Sequence, residues 1–176
     1  DFLRTGTYDR RRPLHKPVSP SMDILVSSNL ERLLYLLSGD TALVADLMGK
    51  LNKDGVYTVP AEMLQKIQSE FWAAYCDDKR ADETMGRVYK EKGYLCDPHT
   101  ASGWAAAEDY IAETGDSRPM VVLSTASPYK FPAAVLSAIG GATSGDEFEQ
   151  MERLSATTRV AIPKNLTGLK ELEELH

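Results

Sequence analysis

The sequence predicts a helix-rich α/β fold with a few short parallel strands, and three observations carry that prediction. Apolar residues recur at spacings of three and four through most of the 176 residues, the period of helices with one buried face. One continuous apolar run of strand length, Met120-Val121-Val122-Leu123, lies between helical stretches, which is the pattern of a parallel strand buried on both faces. Helix punctuation is explicit, with Asp-Pro or Ser/Asn clusters opening the periodic stretches and glycines closing them. So few strands do not make a free-standing doubly wound sheet, and the chain reads as part of a larger α/β fold.

Taken in order, Asp1 to Val18 carries three consecutive arginines and two prolines and reads as irregular, or as a short helix end followed by an extended arm. Met22-Asp23-Ile24-Leu25-Val26 is strand-like. Ser27-Ser28-Asn29 caps a helix whose Leu30, Leu33, Leu34 and Leu37 share a face and which Gly39 stops. Asp40 or Thr41 opens the next helix, with Leu43, Leu47 and Leu51 on one face, flanked by Val44 and Met48. Val56 to Val59 reads as a brief strand or as the approach to a helix opened by Pro60. In that helix Met63, Ile67 and Phe71 run at steps of four, and Leu64, Trp72 and Tyr75 widen the stripe. Met85, Val88 and Tyr89 give a helix ending at Gly93.

The stretch from Gly93 to Pro132 organises the rest. Asp97 accepts hydrogen bonds from free backbone N–H groups and Pro98 fits the first helical position. His99 and Thr100 then fall in the first turn, where unpaired N–H groups and the helix dipole favour an anion. Trp104, Ala107 and Ile111 continue one face until Gly115 to Pro119 breaks it. The strand Met120–Leu123 delivers Ser124, Thr125 and Ser127 at its carboxyl end, where ligands of open parallel sheets bind. Beyond it, Pro132 opens a helix through Val135, Leu136 and Ile139, and Asp146 caps one with Phe148, Met151 and Leu154 inside. Arg159 to Ile162 is a short strand, and Leu166, Leu169, Leu172 and Leu175 form a terminal helical stripe.

Composition narrows the function. A net charge of −6 argues against a general nucleic-acid binder. Arg4, Arg10, Arg11, Arg12 and Lys16 against Asp1 and Asp9 leave the first sixteen residues at +3, a solvated surface, an internal contact or a phosphate site. Cys76 and Cys96 make no disulfide framework and no zinc spacing, so no metal is expected, and the thiols read as reduced in a cytoplasmic protein. No apolar run reaches membrane-spanning length. The chain opens without an initiator Met inside a polar segment, as a piece of a longer polypeptide would.

His99 is the one histidine well inside a predicted element, and it is either a packed residue or one placed beside a bound anion. The Thr125 hydroxyl is satisfied by a ligand, by water or by the backbone of the next turn. Lys130 is a surface lysine or an anchor for phosphate or carboxylate. Gly140-Gly141 follows a helix and reads as its cap, not as a phosphate cradle.

Four segments, in order, resemble threonine synthases: DFLRTGTY (1–8), SPSMDILVSSNLERLL (19–34), GYLCDPHTA (93–101) and STASPYKF (124–131), the last similar to that family's TAHPAKF motif. The resemblance implies the C-terminal portion of a fold-type II enzyme dependent on pyridoxal phosphate, converting O-phosphohomoserine and water to threonine and phosphate. It implies that Thr125, with Ser124 beside it, meets the pyridine nitrogen of the cofactor. It also puts Asp97, His99, Thr100 and Arg4 on the substrate side, where Lys130 is a further candidate as an anion anchor. Ser127 and Tyr129 depart from the motif, standing where the family has His and Ala. The Schiff-base lysine and the glycine-rich loop for the cofactor phosphate belong to a part of the family's chain that precedes Asp1. The expected organisation is therefore a basic arm (1–18) and a helix-rich body (19–176), without an N-terminal half, inactive alone and not binding the cofactor by itself. A rival reading is a non-catalytic interaction module whose stripes at 30–37 and 166–175 pack on a partner.

Overall fold

The computed structural model describes residues 1–14, 17–19 and 24–172. The chain divides into two compact units: Asp1–Lys16 with Pro20–Ala74, and Pro17–Ser19 with Tyr75–His176.

The first unit begins with a short helix, α1 (Phe2–Thr5), and a strand, β1 (Thr7–Asp9). Gly6 joins them at φ 72°, in the left-handed region that side chains with a Cβ disfavour. Then come α2 (Ser28–Ser38), α3 (Thr41–Asp54), β2 (Val56–Thr58) and α4 (Ala61–Glu70). β1 and β2 pair antiparallel, with Tyr8 opposite Tyr57. The two rings stack with centroids 5.5 Å apart, and Phe2 meets both edge-on. Such cross-strand aromatic pairs are what stabilise so small a sheet. Leu34 from α2, Val44, Leu47 and Leu51 from α3, Tyr57, and Met63 and Ile67 from α4 form one buried core. Asp40 caps α3, accepting hydrogen bonds from the backbone N–H groups of Ala42 and Leu43.

The sequence-based reading needs correction here. The parallel strands it expected are absent among the described residues, and the one sheet there is antiparallel. The N-terminal segment folds as helix and strand where described, and its three consecutive arginines are engaged, while Lys16 lies outside the described residues. Arg10 donates to the carbonyl of Asn52, Arg12 to that of Ile24, and Arg11 chelates Asp9, holding its carboxyl at a pKa of about 2. The basic run is thus an internal contact. Of the strand expected over Met22–Val26, Met22 and Asp23 lie outside the described residues, while Ile24 and Val26 are exposed and not in a strand. α4 ends at Glu70, so Phe71 caps it in extended backbone and Tyr75 is exposed instead of widening the stripe.

The second unit holds α5 (Asp78–Lys92), α6 (Pro98–Thr114), α7 (Pro132–Ala138), α8 (Glu147–Thr158) and the one-turn α9 (Lys164–Thr167). Asp77 and Asp97 cap α5 and α6 with their side chains, and Asp146 and Glu149 form a reciprocal capping box on α8. Met85 and Val88 of α5, Ala101 of α6, Val135 and Leu136 of α7, and Met151 and Leu154 of α8 share one core with Leu95, Cys96, Tyr129 and Leu166. Two ion pairs tie α5 to α6, Arg80 to Asp109 and Arg87 to Glu108, each at 2.6 Å. α5 lies against α7 through Gly86, where a Cβ would come within 2.4 Å of the Ala138 carbonyl oxygen.

Met120–Leu123 is not a buried strand. It runs as irregular chain with Val121 80% and Leu123 73% exposed. A strand buried on both faces exists only where neighbouring strands and covering helices exist; among the described residues no strand pairs with this segment, and α6 approaches it at Gly103, beside the half-buried Val122. Arg159–Ile162 is likewise irregular, because Arg159 ends α8 in a left-handed conformation. The terminal leucine stripe yields only α9 and one tight turn: Leu166 is buried, Leu169 and Leu172 are exposed, and Leu175 lies outside the described residues.

Candidate functional site

The side chains brought together in the second unit belong to the start of α6 and to the segment after Leu123. Pro98 begins α6 because its missing N–H would have had no intrahelical partner there. Asp97, before it, is fully buried. Its Oδ1 accepts from the backbone N–H of His99 at 2.9 Å, from His99 Nδ1 at 3.0 Å and from the N–H of Thr100 at 3.4 Å. Its Oδ2 accepts a short hydrogen bond from the Thr100 hydroxyl. The N–H groups that the sequence offered to an anion are therefore already taken by this carboxylate.

Thr100 carries the connection onward. A carboxylate only accepts, so the Thr100 hydroxyl spends its proton on Asp97 and keeps its lone pairs. One of these receives the backbone N–H of Thr125 at 3.3 Å. Among the described residues that is the one hydrogen bond Thr125 makes, and its exposed side chain keeps a hydroxyl for other partners. Ser124 is exposed next to it, its hydroxyl 3.2 Å from that of Tyr94. His99 packs its ring on Phe131 with centroids 4.9 Å apart, and its Nε2 is buried with no hydrogen-bond partner among the described residues.

The two departures from the family motif acquire local explanations. Ser127 caps the tight turn Pro128–Lys130, its hydroxyl accepting from the N–H of Tyr129 at 3.3 Å. Tyr129 is buried in the core and its phenol donates to the carbonyl of Val160, so the bulk that replaces alanine serves packing. Lys130 is exposed at the end of that turn. Cys96, beside Asp97, is buried, and burial pushes its thiol up to about 11.

Of the candidates named from the sequence, Asp97, His99, Thr100, Ser124 and Thr125 come together. Arg4 belongs to the first unit, where its guanidinium donates to the Ala73 carbonyl at 3.1 Å and lies 5.8 Å from the centre of the Trp72 ring. Tyr94 and Phe131 as site neighbours escaped sequence reasoning, because each meets a partner about thirty residues away in the chain and has no local pattern. No group of three metal-ligating side chains occurs among the described residues, and no described helix is long and apolar enough to cross a membrane.

A free hydroxyl at Thr125 fits one contact of pyridoxal phosphate, the pyridine nitrogen, and Ser124 fits beside it. Residues 100–175 match the family model "Threonine synthase, C-terminal". Threonine synthase of Pseudomonas aeruginosa is 40% identical over 182 residues, covering 99% of this chain and 37% of its own length. That of Saccharomyces cerevisiae is 35% identical over 155 residues, covering 80% of this chain and 30% of its own. The crystal structure of the yeast threonine synthase superposes with a TM-score of 0.81 at 31% identity, over 98% of this chain and 35% of that one. A threonine synthase from Brucella melitensis with bound pyridoxal phosphate follows at 0.74 and 36% identity, over 90% of this chain and 36% of that one. The chain thus resembles the C-terminal portion of threonine synthases over nearly all of its length, and spans about a third of theirs.

Proposed function

We propose, from this kinship with the threonine synthases, that the chain is the C-terminal portion of a cytoplasmic enzyme dependent on pyridoxal phosphate. Its reaction is the conversion of O-phosphohomoserine and water to threonine and phosphate, and the portion represented here is inactive alone. The observation that carries this is the placement of Thr125: an exposed hydroxyl, anchored through its backbone to a buried carboxylate, in the motif where the family places its partner for the cofactor nitrogen.

Pyridoxal phosphate, when bound, supplies the electron sink for carbanion chemistry. Thr125 would hold its pyridine nitrogen with a neutral hydroxyl, which leaves that nitrogen largely unprotonated and tempers the sink. Ser124 would support the same edge. Of the substrate-side candidates, Lys130 is exposed and suited to touch an anionic substrate, while Arg4 belongs to the other unit. Asp97, His99 and Thr100 are buried and suited to act from behind. The lysine that carries the cofactor and the cradle for its phosphate lie, in this reading, in a part of the protein outside this chain. The exposed Met120–Leu123 segment supports that organisation, since an apolar run of this kind is normally covered.

The interaction-module reading loses much of its first stripe: Leu34 is fully buried and Leu37 packs against the unit's own core, with Leu30 and Leu33 half-buried.

Pyridoxal phosphate titration of the chain, with borohydride reduction and peptide mapping, tests the proposal. No specific adduct is expected. A stoichiometric adduct on one lysine, Lys130 for instance, would mean that this chain carries a complete cofactor site, and the proposed division would be wrong.

A further inference from the structure

We infer that Asp97 and Thr100 are positioning residues for Thr125, acting through its backbone instead of touching substrate. The inference rests on the reading of Thr125 as the cofactor's partner, but its physical content is independent of that reading.

The segment from Gly115 to Ser127 lies outside helix and sheet, and much of it is exposed. A hydroxyl on such a chain would sample many positions, because each unfixed backbone residue retains its conformational freedom. From Met120 to Ser127 the backbone N–H of Thr125 is the one that donates a hydrogen bond among the described residues, to Thr100 Oγ1. Thr100 in turn is 2% exposed, sits in the first turn of a 17-residue helix and is locked by its own bond to Asp97. The direction of each bond is set by chemistry. The carboxylate must accept, so the Thr100 hydroxyl must donate to it and can only accept from Thr125. Asp97 cannot rotate away either, because its other oxygen holds the N–H groups of His99 and Thr100 and the His99 ring. The result is a rigid bracket that runs from the helix start to one backbone N–H of the loop and leaves the Thr125 side chain outside it. A site group tied to a rigid element by hydrogen bonds is more exactly held than one on a free loop.

Three features separate this from ordinary loop packing. The contact is made to the backbone of Thr125, so it survives any change of that side chain. It depends on one hydroxyl, not on the bulk of residue 100. And it links residues 25 apart in sequence at a single atom pair.

Amide hydrogen exchange of the chain, resolved by NMR, tests the bracket without cofactor or substrate. The Thr125 N–H is expected to exchange about tenfold more slowly than those of Leu123 and Ser124, the protection of one hydrogen bond of ordinary net strength. Thr100→Val, which keeps shape but removes the hydroxyl, should abolish that protection while the amides of mid-α6 stay slow. Thr100→Ser should restore it, and Thr125→Val should leave it intact. Should Thr100→Val not fold, Thr100→Ala reads the same bond. An unprotected Thr125 amide in the unsubstituted chain would overturn the inference, as would protection that persists in Thr100→Val or fails to return in Thr100→Ser. Because no arm uses pyridoxal phosphate, such a failure leaves the proposed function standing. A complete cofactor site found by titration would overturn that function and leave the bracket untouched.

Discussion

Two segments flank helix α6, and they have opposite fates. Asp97–Ala101, at its start, is buried throughout, whereas Met120–Leu123, shortly after its end, is largely exposed although it is the more apolar. The difference teaches what each kind of element needs. A helix start is completed by its own side chains: one aspartate satisfies the free N–H groups within three residues. A buried strand is completed only by other strands, and apolar character without them leaves an uncovered edge. Polarity is thus a poor guide to burial here, and hydrogen-bond closure a good one.

The contrast is open to measurement. Asp97→Ala strikes the closed side hardest, stranding backbone N–H groups, the Thr100 hydroxyl and the His99 ring without their acceptor. A loss of about 3 kcal/mol in urea denaturation is expected, the cap together with buried groups left unpaired. A loss below about 1 kcal/mol would mean that the closure adds little beyond an ordinary cap. Gly86→Ala probes backbone approach in the same unit. The new methyl group would push on the Ala138 carbonyl between α5 and α7, with a cost of about 2 kcal/mol by thermal unfolding.

Cysteine chemistry sharpens the comparison next. At neutral pH, Cys96, beside Asp97, should alkylate at least about tenfold more slowly than half-buried Cys76, as mass spectrometry of each peptide would reveal. Comparable rates would show that the start of α6 opens readily. The sign of the pH effect follows from burial, which raises the folded thiol to about 11 from an ordinary 9.0. The neutral form is favoured in the fold, so this contribution to stability is complete below pH 9 and is lost as pH rises towards 11. Equilibrium unfolding across that interval, compared with Cys96→Ala, reads it directly.

The smallest effect belongs to the exposed side. Val121→Ser and Leu123→Ser should each change stability by no more than about 0.5 kcal/mol, as exposed positions do. Both should lower self-association in sedimentation velocity. A large destabilisation by either would show that the segment is packed after all and would erase the contrast.

Much of the fold was legible. The caps at Asp97 and Asp146, and Asp40 as one of two candidates with Thr41, follow from residue type and position, and the structure places each aspartate at a helix start with its side chain bonded to N–H groups ahead. The helical stripes of α2, α3 and α5, and of α4 as far as Ile67, agree with the structure, because burial of one face is a matter of local period. The strands were legible in composition and mostly not in outcome. Of Val56 to Val59, Val56–Thr58 did pair as β2, but with Thr7–Asp9, a segment whose short length and neighbouring arginines concealed it. At the site, the sequence brought Asp97, His99 and Thr100 to one helical turn. It held nothing to show that Thr100 would face the N–H of Thr125 across 25 residues, or that Tyr94 would meet Ser124.

By itself, then, the sequence determined the helices, their caps, the family resemblance and which hydroxyls stand near the end of the central stretch. These depend on interactions within a few residues, which the order of residues specifies directly. Tertiary structure alone decided the antiparallel pairing of β1 with β2, the exposure of Met120–Leu123 and the bond from Thr125 to Thr100. Each of those requires a partner distant in the chain, and whether a distant partner arrives is settled by how the intervening helices pack, which no local pattern records.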